Sequence, residues 1–310
     1  MDTRATTGQN PAPWTVAVLG PGGIGGLVAS LLARRGHRVI CVAGEQTAKT
    51  LNEQGLALRS GQFGDGTVEV EAVTELTEPV DLCVIATKET GLAEALQRVP
   101  AAALGTGLVL PLLNGFEHVA LLRETYPAGQ VVPAVIWAES TRTAPGVIEH
   151  TTPFCRIELA GATAPAARLA ALGALLEDAG MRGLVHEDET ALLWDKLAFL
   201  APFALLTTRH AAPVGTVRTE HREELTAVVA EVARVAATVG APTEASALLA
   251  KFDNAPEGMR SSMQRDAAAG RPVEIEAIGR ALLRQADRAG TQVPALTSLV
   301  TTVARTHGGS

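Results

Sequence analysis

The first half of the chain alternates short β-branched apolar runs with stretches of helical periodicity. The run "TVAVLG" is followed by "GGLVASLLARRG" and "RVICVA", and later by "VDLCVIATK", "GLVLPLLNG" and "QVVPAVIWAES". Strands that alternate with helices are typical of βαβ units and a parallel sheet. The pattern therefore predicts an α/β domain over residues 15–187, after a disordered tail at residues 1–14.

The second half has helical periodicity only. In "REELTAVVAEVARVAATVGAP", Gly240 stands where a helix C-terminal cap is expected, and apolar residues repeat at helical spacing at Leu225, Val228, Val232, Val235 and Val239. In "RPVEIEAIGRALLRQADRAG", Pro272 lies near the expected first turn and Gly290 at the expected end. We predict an all-helical domain over residues 188–310, which begins after the acidic stretch "HEDET".

Composition restricts the classes of partner. With 47% hydrophobic and 19% charged residues, the chain can bury a sizeable core. A net charge of -7 argues against nucleic acid, which requires a basic face. Three cysteines in apolar runs suit a reducing compartment, and neither a signal peptide nor a membrane-spanning segment is evident. We expect a cytoplasmic protein with a small-molecule substrate and no nucleic-acid or membrane partner.

A glycine-crowded turn separates the first predicted strand from the first predicted helix. Gly20, Gly22 and Gly25 form G-x-G-x-x-G there. Gly20 permits the tight turn, Gly22 lets the backbone approach a pyrophosphate, and Gly25 lets helix and strand pack closely. A plain glycine-rich connection is the alternative. We predict a Rossmann NAD(P)-binding domain whose cofactor-binding turn consists of Gly20, Pro21, Gly22, Gly23, Ile24 and Gly25.

The residues after the second strand bear on the choice of dinucleotide. An NAD site usually ends this strand in a carboxylate for the ribose hydroxyls, and the residue here is Ala43. Glu45 could reach the ribose but would also repel a 2′-phosphate. Lys49 could offset that charge, and Gln46 and Thr47 could donate hydrogen bonds, or all four could be ordinary surface residues. These residues leave the choice open.

Four further motifs follow the glycine turn. They are "IATKET", "LLNGFE", "LLWDKLAFLAPF" and "SSMQRDAAAGRPVEIEAIG", which contain Lys88, Asn114, Lys196, and Ser262, Asp266 and Glu274 respectively. In this order they resemble the motifs of the 2-dehydropantoate 2-reductase (ketopantoate reductase) family, and the resemblance extends from Thr15 to Ala304. It implies a Rossmann domain, a helical domain, an active site in the cleft between them, reduction of an α-keto acid with NADPH, and often a homodimer.

The resemblance also implies a cofactor site. It assigns the glycine turn to the pyrophosphate, and Lys88 and Asn114 to the nicotinamide side. Glu274 matches an acid that contacts both the cofactor and the catalytic lysine. Ser140, at the end of "VIWAES", is a further cofactor-binding candidate. Asn114 before Gly115 could instead be a simple strand-end turn.

Lys196 matches the general acid of the family, and Ser262 matches a residue that holds the substrate carboxylate. Hydride attack on a carbonyl builds negative charge on oxygen, which an ammonium can stabilise and then protonate. A nearby carboxylate such as Glu274 would keep the lysine charged. Outside this motif context, Lys196 could be a solvent-facing lysine and Glu274 a first-turn acid favoured by the helix dipole.

The chain departs from the family in its substrate-binding positions. Three asparagines of the family are replaced by Leu200, Ala204 and Val214, and an arginine after the second strand is replaced by Gly44. A missing hydrogen-bonding partner changes discrimination by about 10⁴-fold, so ketopantoate is not the expected substrate. The three residues are expected to line an apolar wall for a bulkier, more hydrophobic substrate. His210, after the lysine helix, could be an additional acid or base or a structural histidine.

The sequence therefore predicts an NADPH-dependent oxidoreductase that reduces a C=O or C=N group of a substrate larger and more apolar than ketopantoate. NADP(H) is favoured by the resemblance, and NAD(H) stays open. The alternative is a non-redox cyclase or isomerase in which the cofactor is structural or absent. A ligand-binding protein without turnover is less favoured. The sequence contains neither H-E-x-x-H, paired C-x-x-C nor G-x-S-x-G, so we predict no metal and no serine nucleophile.

Overall fold

The computed structural model describes residues 12–307, in which an α/β half precedes a helical half. The predicted disordered tail lies outside the described residues as far as residue 11. In the described chain, the last strand ends at His186 and the first helix of the helical half begins at Glu189. The exact domain boundary at residue 187 stays a prediction.

The α/β half is built from short strands and helices. In chain order its elements are β1 (Thr15–Leu19), α1 (Gly23–Arg34), β2 (Arg38–Val42), α2 (Glu45–Gln54), β3 (Leu56–Ser60), β4 (Gly66–Val68), β5 (Glu71–Val73), β6 (Leu82–Ile85), α3 (Leu92–Leu96), α4 (Ala101–Leu104), β7 (Leu108–Pro111), α5 (His118–Thr125), β8 (Ala134–Trp137), β9 (Ser140–Ala144), β10 (Val147–His150), β11 (Arg156–Ala160), α6 (Ala166–Asp178) and β12 (Arg182–His186).

Five strands form a parallel sheet in the order β5-β2-β1-β6-β7. β1 is central, and its residue Val16 is in register with Val39 of β2 and Leu82 of β6. Successive residues of β1 enter different apolar cores, because Val18 packs in one cluster and Leu19 in another. Burial on both faces explains why this strand is an uninterrupted apolar run. The predicted Rossmann-type sheet is confirmed.

The remaining strands form two smaller sheets, in the orders β4-β3-β10-β9 and β12-β11-β8. The stretch "QVVPAVIWAES" was expected to be one strand of the parallel sheet, but it is divided between these two sheets. The reason is a change of partner, since Trp137 pairs antiparallel with Arg156, whereas Ser140 pairs with His150.

The helical half confirms the other part of the predicted fold class. Its elements are α7 (Glu189–Arg209), α8 (Val214–Glu220), α9 (Arg222–Thr238), α10 (Ala245–Asn254), α11 (Ser262–Ala268), a π-helix (Glu276–Arg280), α12 (Ala281–Arg288) and α13 (Pro294–His307). Asp188 caps α7 by accepting from the N–H groups of Thr190 and Ala191. Buried Glu231 of α9 accepts from the N–H groups of Ala295 and Leu296, and so caps α13.

α7 is the main core helix of this half. Among the described residues, α7 is the one helix that is long and apolar enough to cross a membrane. However, 67% of its most apolar 18-residue window is buried inside the protein. A buried core helix can have the same length and the same apolar composition as a membrane-spanning helix. Its apolar character is therefore accounted for by packing.

The last predicted helix pattern is only partly correct. The structure has a π-helix at Glu276–Arg280 before α12 begins at Ala281, and Pro272 precedes the helical residues. The N–H of Ile278 still donates to the carbonyl of Glu274 at 3.2 Å, so Glu274 lies directly at the entry to the π-helix. π-Helical turns are frequent at functional sites, where they change the direction in which neighbouring side chains point.

Candidate active site

The glycine turn connects β1 to α1 in a conformation that requires glycine. Gly20 has a φ of +83°, and its carbonyl accepts from the N–H of Gly22 at 2.7 Å. A β-carbon added at Gly25 would lie 2.3 Å from the carbonyl oxygen of Gly20. A β-carbon added at Gly23 would lie 2.2 Å from the carbonyl oxygen of Ser140. The tight turn and the close packing at Gly25 are thus both present. The close approach of β9 leaves no room for a side chain at Gly23.

The N-terminus of α1 is open to an anion. Gly22 is its N-cap residue, no side chain caps the helix, and its first turn contains no acid. A β-carbon added at Gly22 would meet no atom nearer than the carbonyl oxygen of Gly20, at 4.0 Å. Packing inside the protein therefore does not require glycine there, whereas approach of a pyrophosphate does. Buried Pro21 and half-buried Ile24 anchor the turn, and these residues fit a dinucleotide.

Two further cofactor candidates have contacts of their own. The hydroxyl of Ser140 donates to the carbonyl of Gly23 at 2.9 Å, so in this structure it supports the turn. The ammonium of Lys88, beyond β6, donates to Asp266 at 2.7 Å and to the carbonyl of Pro272 at 3.4 Å. Lys88 therefore connects the α/β half to the helical half. Contact of either side chain with a cofactor stays a prediction.

Three of the predicted residues form one hydrogen-bonded chain across the two halves. The ammonium of Lys196, on α7, donates to Asn114 Oδ1 at 3.3 Å. Asn114, beyond β7, donates through Nδ2 to Glu274 Oε2 at 3.1 Å. The other oxygen of Glu274 is 3.5 Å from the donor N–H of Glu89. The side chains that the motifs separate by 82 and 160 residues thus meet in the cleft.

The environment of Lys196 makes it a stronger acid than an ordinary lysine. Burial lowers its pKa to about 8, because desolvation disfavours the ammonium. The negative charge of Glu274 opposes this effect and raises the pKa. At pH 7 the ammonium therefore still predominates, by about ten to one. Such a group can both stabilise an oxyanion and release a proton near neutral pH.

The backbone fixes the amide and the carboxylate relative to each other. Gly115, next to Asn114, has a φ of +85°. A β-carbon there would lie 2.6 Å from the carbonyl oxygen of Ala277, in the π-helix. The turn after β7 therefore packs directly on the segment that follows Glu274. The strand-end turn and the site role of Asn114 are compatible, because the glycine lets the asparagine approach the helical half.

The paired serines before α11 have different surroundings. Ser261 is buried, caps α11 by accepting from the N–H of Gln264 at 3.0 Å, and shares a hydrogen bond with Thr207 at 2.9 Å. Ser262, the predicted substrate residue, is exposed on the first turn of α11. It is on the same helix as Asp266, the partner of Lys88. Its hydroxyl is accessible, and its role in binding a carboxylate stays a prediction.

The predicted apolar wall needs correction. Ala204 and Val214 are exposed by only 1% and 0%, and both pack in the core of the helical half. Leu200, one turn beyond Lys196, is half-buried at the edge of that core. Ala204 and Val214 therefore do not line a substrate wall in this structure. Of the three, only Leu200 presents surface to a ligand in this structure.

His210 is remote from the lysine. It lies fourteen residues along α7 from Lys196, which corresponds to about 21 Å. It bonds to Glu224 at 2.8 Å and stacks on His221 with ring centroids 3.6 Å apart. These three could offer metal ligands, but two parallel rings cannot direct their in-plane lone pairs to one ion, and Arg209 already pairs with Glu224 at 2.9 Å. His210 is better described as part of a structural cluster.

Sequence reasoning missed one residue beside the site. His118, at the start of α5, is only 4% exposed, and neither ring nitrogen has a hydrogen-bond partner within the described chain. Burial, together with the positive charge of Lys196, lowers its pKa to about 4. A neutral imidazole thus neighbours the lysine. Its position four residues after Asn114, in "NGFEH", is the signal that could have indicated it.

Comparison with known proteins identifies one family over both halves of the chain. The family model "Ketopantoate reductase PanE/ApbA" matches residues 16–160, and "Ketopantoate reductase PanE/ApbA C terminal" matches residues 189–307. A 2-dehydropantoate 2-reductase of Halobacterium salinarum is 29% identical over 299 residues, which cover 92% of this chain and 96% of that protein.

Solved structures have the same fold. The PanE/ApbA family ketopantoate reductase of Ralstonia eutropha JMP134 superposes with a TM-score of 0.85 at 27% identity, covering 95% of this chain and 98% of that one. D-mandelate dehydrogenase, solved with NADH and anilino(oxo)acetate, gives a TM-score of 0.86 at 21% identity, with 95% and 98% coverage. At that identity, the second likeness shows the fold alone.

Proposed function

The chain belongs to the ketopantoate reductase PanE/ApbA family and is an NAD(P)H-dependent oxidoreductase, and from that premise we propose that it reduces the carbonyl of a substrate less polar than ketopantoate. The observation that carries the proposal is the chain from Lys196 through Asn114 to Glu274, which lies between the two halves of the protein. An imine is the related substrate class, because it also develops charge on its heteroatom during reduction.

Each residue of this chain has a distinct part in the reduction. When bound, the nicotinamide supplies the hydride. Lys196 stabilises the negative charge that develops on the carbonyl oxygen, and its ammonium then donates the proton that completes the alcohol. Glu274 keeps that ammonium charged despite its burial. Asn114 holds the two at a fixed separation, and its position is fixed in turn by the backbone contact at Gly115.

The absence of the family amides supports the less polar substrate. Leu200 offers a hydrocarbon surface one turn from Lys196, and the side chains behind it at Ala204 and Val214 are apolar core. A hydroxylated substrate such as ketopantoate would bury its hydroxyl there without a partner, which disfavours binding strongly. The larger size expected from the sequence depended on Ala204, which is buried in the core, so the proposal concerns polarity and not size.

The test is reductase activity of the wild type and Lys196→Ala, measured as loss of reduced nicotinamide absorbance. The substrates are 2-oxo acids, from ketopantoate to alkyl- and aryl-substituted members. We expect apolar members to be preferred and Lys196→Ala to lower kcat by about 10²–10⁴-fold. Lys251→Ala, which removes an exposed lysine paired with Asp195, is the matched control and should retain activity.

Two results would contradict the proposal. Equal turnover by Lys196→Ala would remove the assigned proton donor. Turnover that consumes no dinucleotide would favour the cyclase or isomerase alternative.

The role of Ser262, the cytoplasmic location and the homodimer stay predictions. The finer preference for NADP(H) rests on the family resemblance, and Gly44 offers no arginine in its support.

A further inference from the structure

A surface cavity of about 550 Å³ lies at the carboxyl end of the parallel sheet, next to the start of α2. Its walls come from the segments after β2, after β5 and after β6, and its lining residues are Glu45, Thr74, Glu75, Glu94, Gln97 and Arg98. A dinucleotide whose pyrophosphate lies at the N-terminus of α1 extends its adenosine half over the end of β2. The cavity therefore lies on the course that the adenosine half of such a dinucleotide would follow.

The charge of this cavity is predominantly negative. Glu45, Glu75 and Glu94 are exposed, and none of them forms a salt bridge with another residue between 12 and 307. Lys49, one turn into α2, is not part of the lining and lies 3.9 Å from Glu53. Three carboxylates thus border the position of the ribose.

Arg98 is the one cation of the lining, and one of its guanidinium nitrogens is already engaged. Its Nη1 donates to the carbonyl of Thr74 at 3.2 Å and to the carbonyl of Ala43 at 3.5 Å. These contacts connect the end of β5 to the end of β2. Moving the guanidinium to a ligand phosphate would leave both carbonyls without this donor.

The start of α2 has space but no cation. A β-carbon added at Gly44, the N-cap residue, would meet no atom within 4 Å, and the φ of this residue is −66°. Glu45 follows as the acid of the first turn. A carboxylate accepts hydrogen bonds from ribose hydroxyls, whereas it repels a 2′-phosphate, which carries nearly two negative charges at neutral pH.

We propose that this chain selects NAD(H) over NADP(H), with Glu45 as the residue that recognises the adenosine ribose. The inference rests on the proposed dinucleotide-dependent function. It reverses the preference for NADP(H) that the family resemblance implied. The reason is that Gly44 stands where the family has an arginine for the 2′-phosphate, and the acidic Glu45 follows it. Repulsion between one carboxylate and a phosphate dianion several ångströms apart in water amounts to about a tenfold difference in affinity.

The experiment is calorimetric titration of the whole protein with NADH and with NADPH at low ionic strength, without substrate. We expect NADH to bind at least about tenfold more tightly, and the difference to shrink in salt. Glu45→Gln should lower the ratio of the two affinities severalfold. Glu53→Gln, at the other end of the same helix, should leave the ratio unchanged. Circular dichroism checks that each variant is folded.

Gly44→Arg provides the opposite change. The open position accepts the side chain without strain, and the new guanidinium would pair with a 2′-phosphate. We expect its NADPH affinity to rise by about tenfold or more while NADH affinity changes little.

The outcomes separate this inference from the proposed function. Tighter binding of NADPH, or equal affinities, by the wild type would overturn the inference and leave the reductase proposal intact. An unchanged ratio in Glu45→Gln would overturn the role of Glu45. Failure of both dinucleotides to bind would overturn the proposed function itself.

Discussion

Glu274→Gln isolates the charge that favours the protonated form of Lys196, the proposed proton donor. Glutamine has the size of glutamate, and its amide oxygen can still accept the hydrogen bond from Asn114 that Glu274 accepts at 3.1 Å. The substitution therefore removes the negative charge while the chain to Lys196 stays connected. We expect the pKa of Lys196 to fall below its present value of about 8, because desolvation is then unopposed.

The size of the effect follows from the geometry. Two hydrogen bonds in series through the asparagine amide separate the ammonium from the carboxylate by about 7 Å. At an effective dielectric constant of about 20, two unit charges at that distance attract by about 2.4 kcal/mol. Loss of this attraction would bring the pKa of Lys196 from about 8 to roughly 6. At pH 7 most molecules of the variant would then carry a neutral lysine.

Competitive labelling of amines measures this pKa without any substrate. The protein is treated with a trace of acetic anhydride at stepped pH, and acetylation of each lysine is quantified by mass spectrometry. Exposed Lys49 and Lys251 serve as internal references. Glu276→Gln is the matched control, because Glu276 bonds to Arg280 and Arg284 and makes no contact with Asn114.

Two results would refute this reasoning. If Lys196 titrated at the same pH in Glu274→Gln, in a variant shown to be folded, the carboxylate would not set the charge of the lysine. A shift of equal size in Glu276→Gln would refute the specific pairing. In the reductase assay, the expected counterpart is a limb of declining activity that begins near pH 8 in the wild type and near pH 6 in the variant.

Two further predictions concern the glycine turn and the buried histidine. Gly22→Ala should unfold at nearly the wild-type denaturant concentration but lose dinucleotide affinity. Gly25→Ala should lose stability, because its β-carbon would lie 2.3 Å from the carbonyl oxygen of Gly20. Equal stability of the two variants would contradict this prediction. For His118, with a pKa lowered to about 4, the unfolded chain takes up the proton first as the pH falls. The free energy of unfolding should therefore decrease by up to about 3 kcal/mol between pH 6.5 and pH 4, and His118→Leu should show a shallower decrease in denaturation at stepped pH.

Local sequence patterns were sufficient for the first part of the site. Short apolar runs in alternation with helical periodicity predict a parallel sheet, and glycine at the end of the first run predicts the turn. The structure confirms the sheet and shows the contact that excludes a side chain at Gly25. Both features depend on residues near each other in sequence. The meeting of Lys196, Asn114 and Glu274 depends on long-range packing, and only the family resemblance indicated it.

Other features could not be predicted, because they depend on which face of a helix meets which neighbour. α7 is apolar on nearly every face, so its periodicity could not show that Ala204 enters the core while Leu200 lies at its edge. The π-helix leaves no sequence signature in a segment that otherwise has the pattern of an ordinary helix. His118 could not be recognised either, because its burial beside Lys196 arises from the turn after β7.

The site around Lys196 is assembled from both halves of the protein. Lys196 and Glu274 come from the helical half, whereas Asn114 comes from the α/β half. A lysine in water has a pKa near 10.4, but here burial lowers it to about 8. Burial therefore makes Lys196 more than a hundredfold stronger as an acid, and the apposition of the two halves places Asn114 between Lys196 and Glu274. The hydrogen-bonded chain from Lys196 to Glu274 is complete only where the two halves are held together.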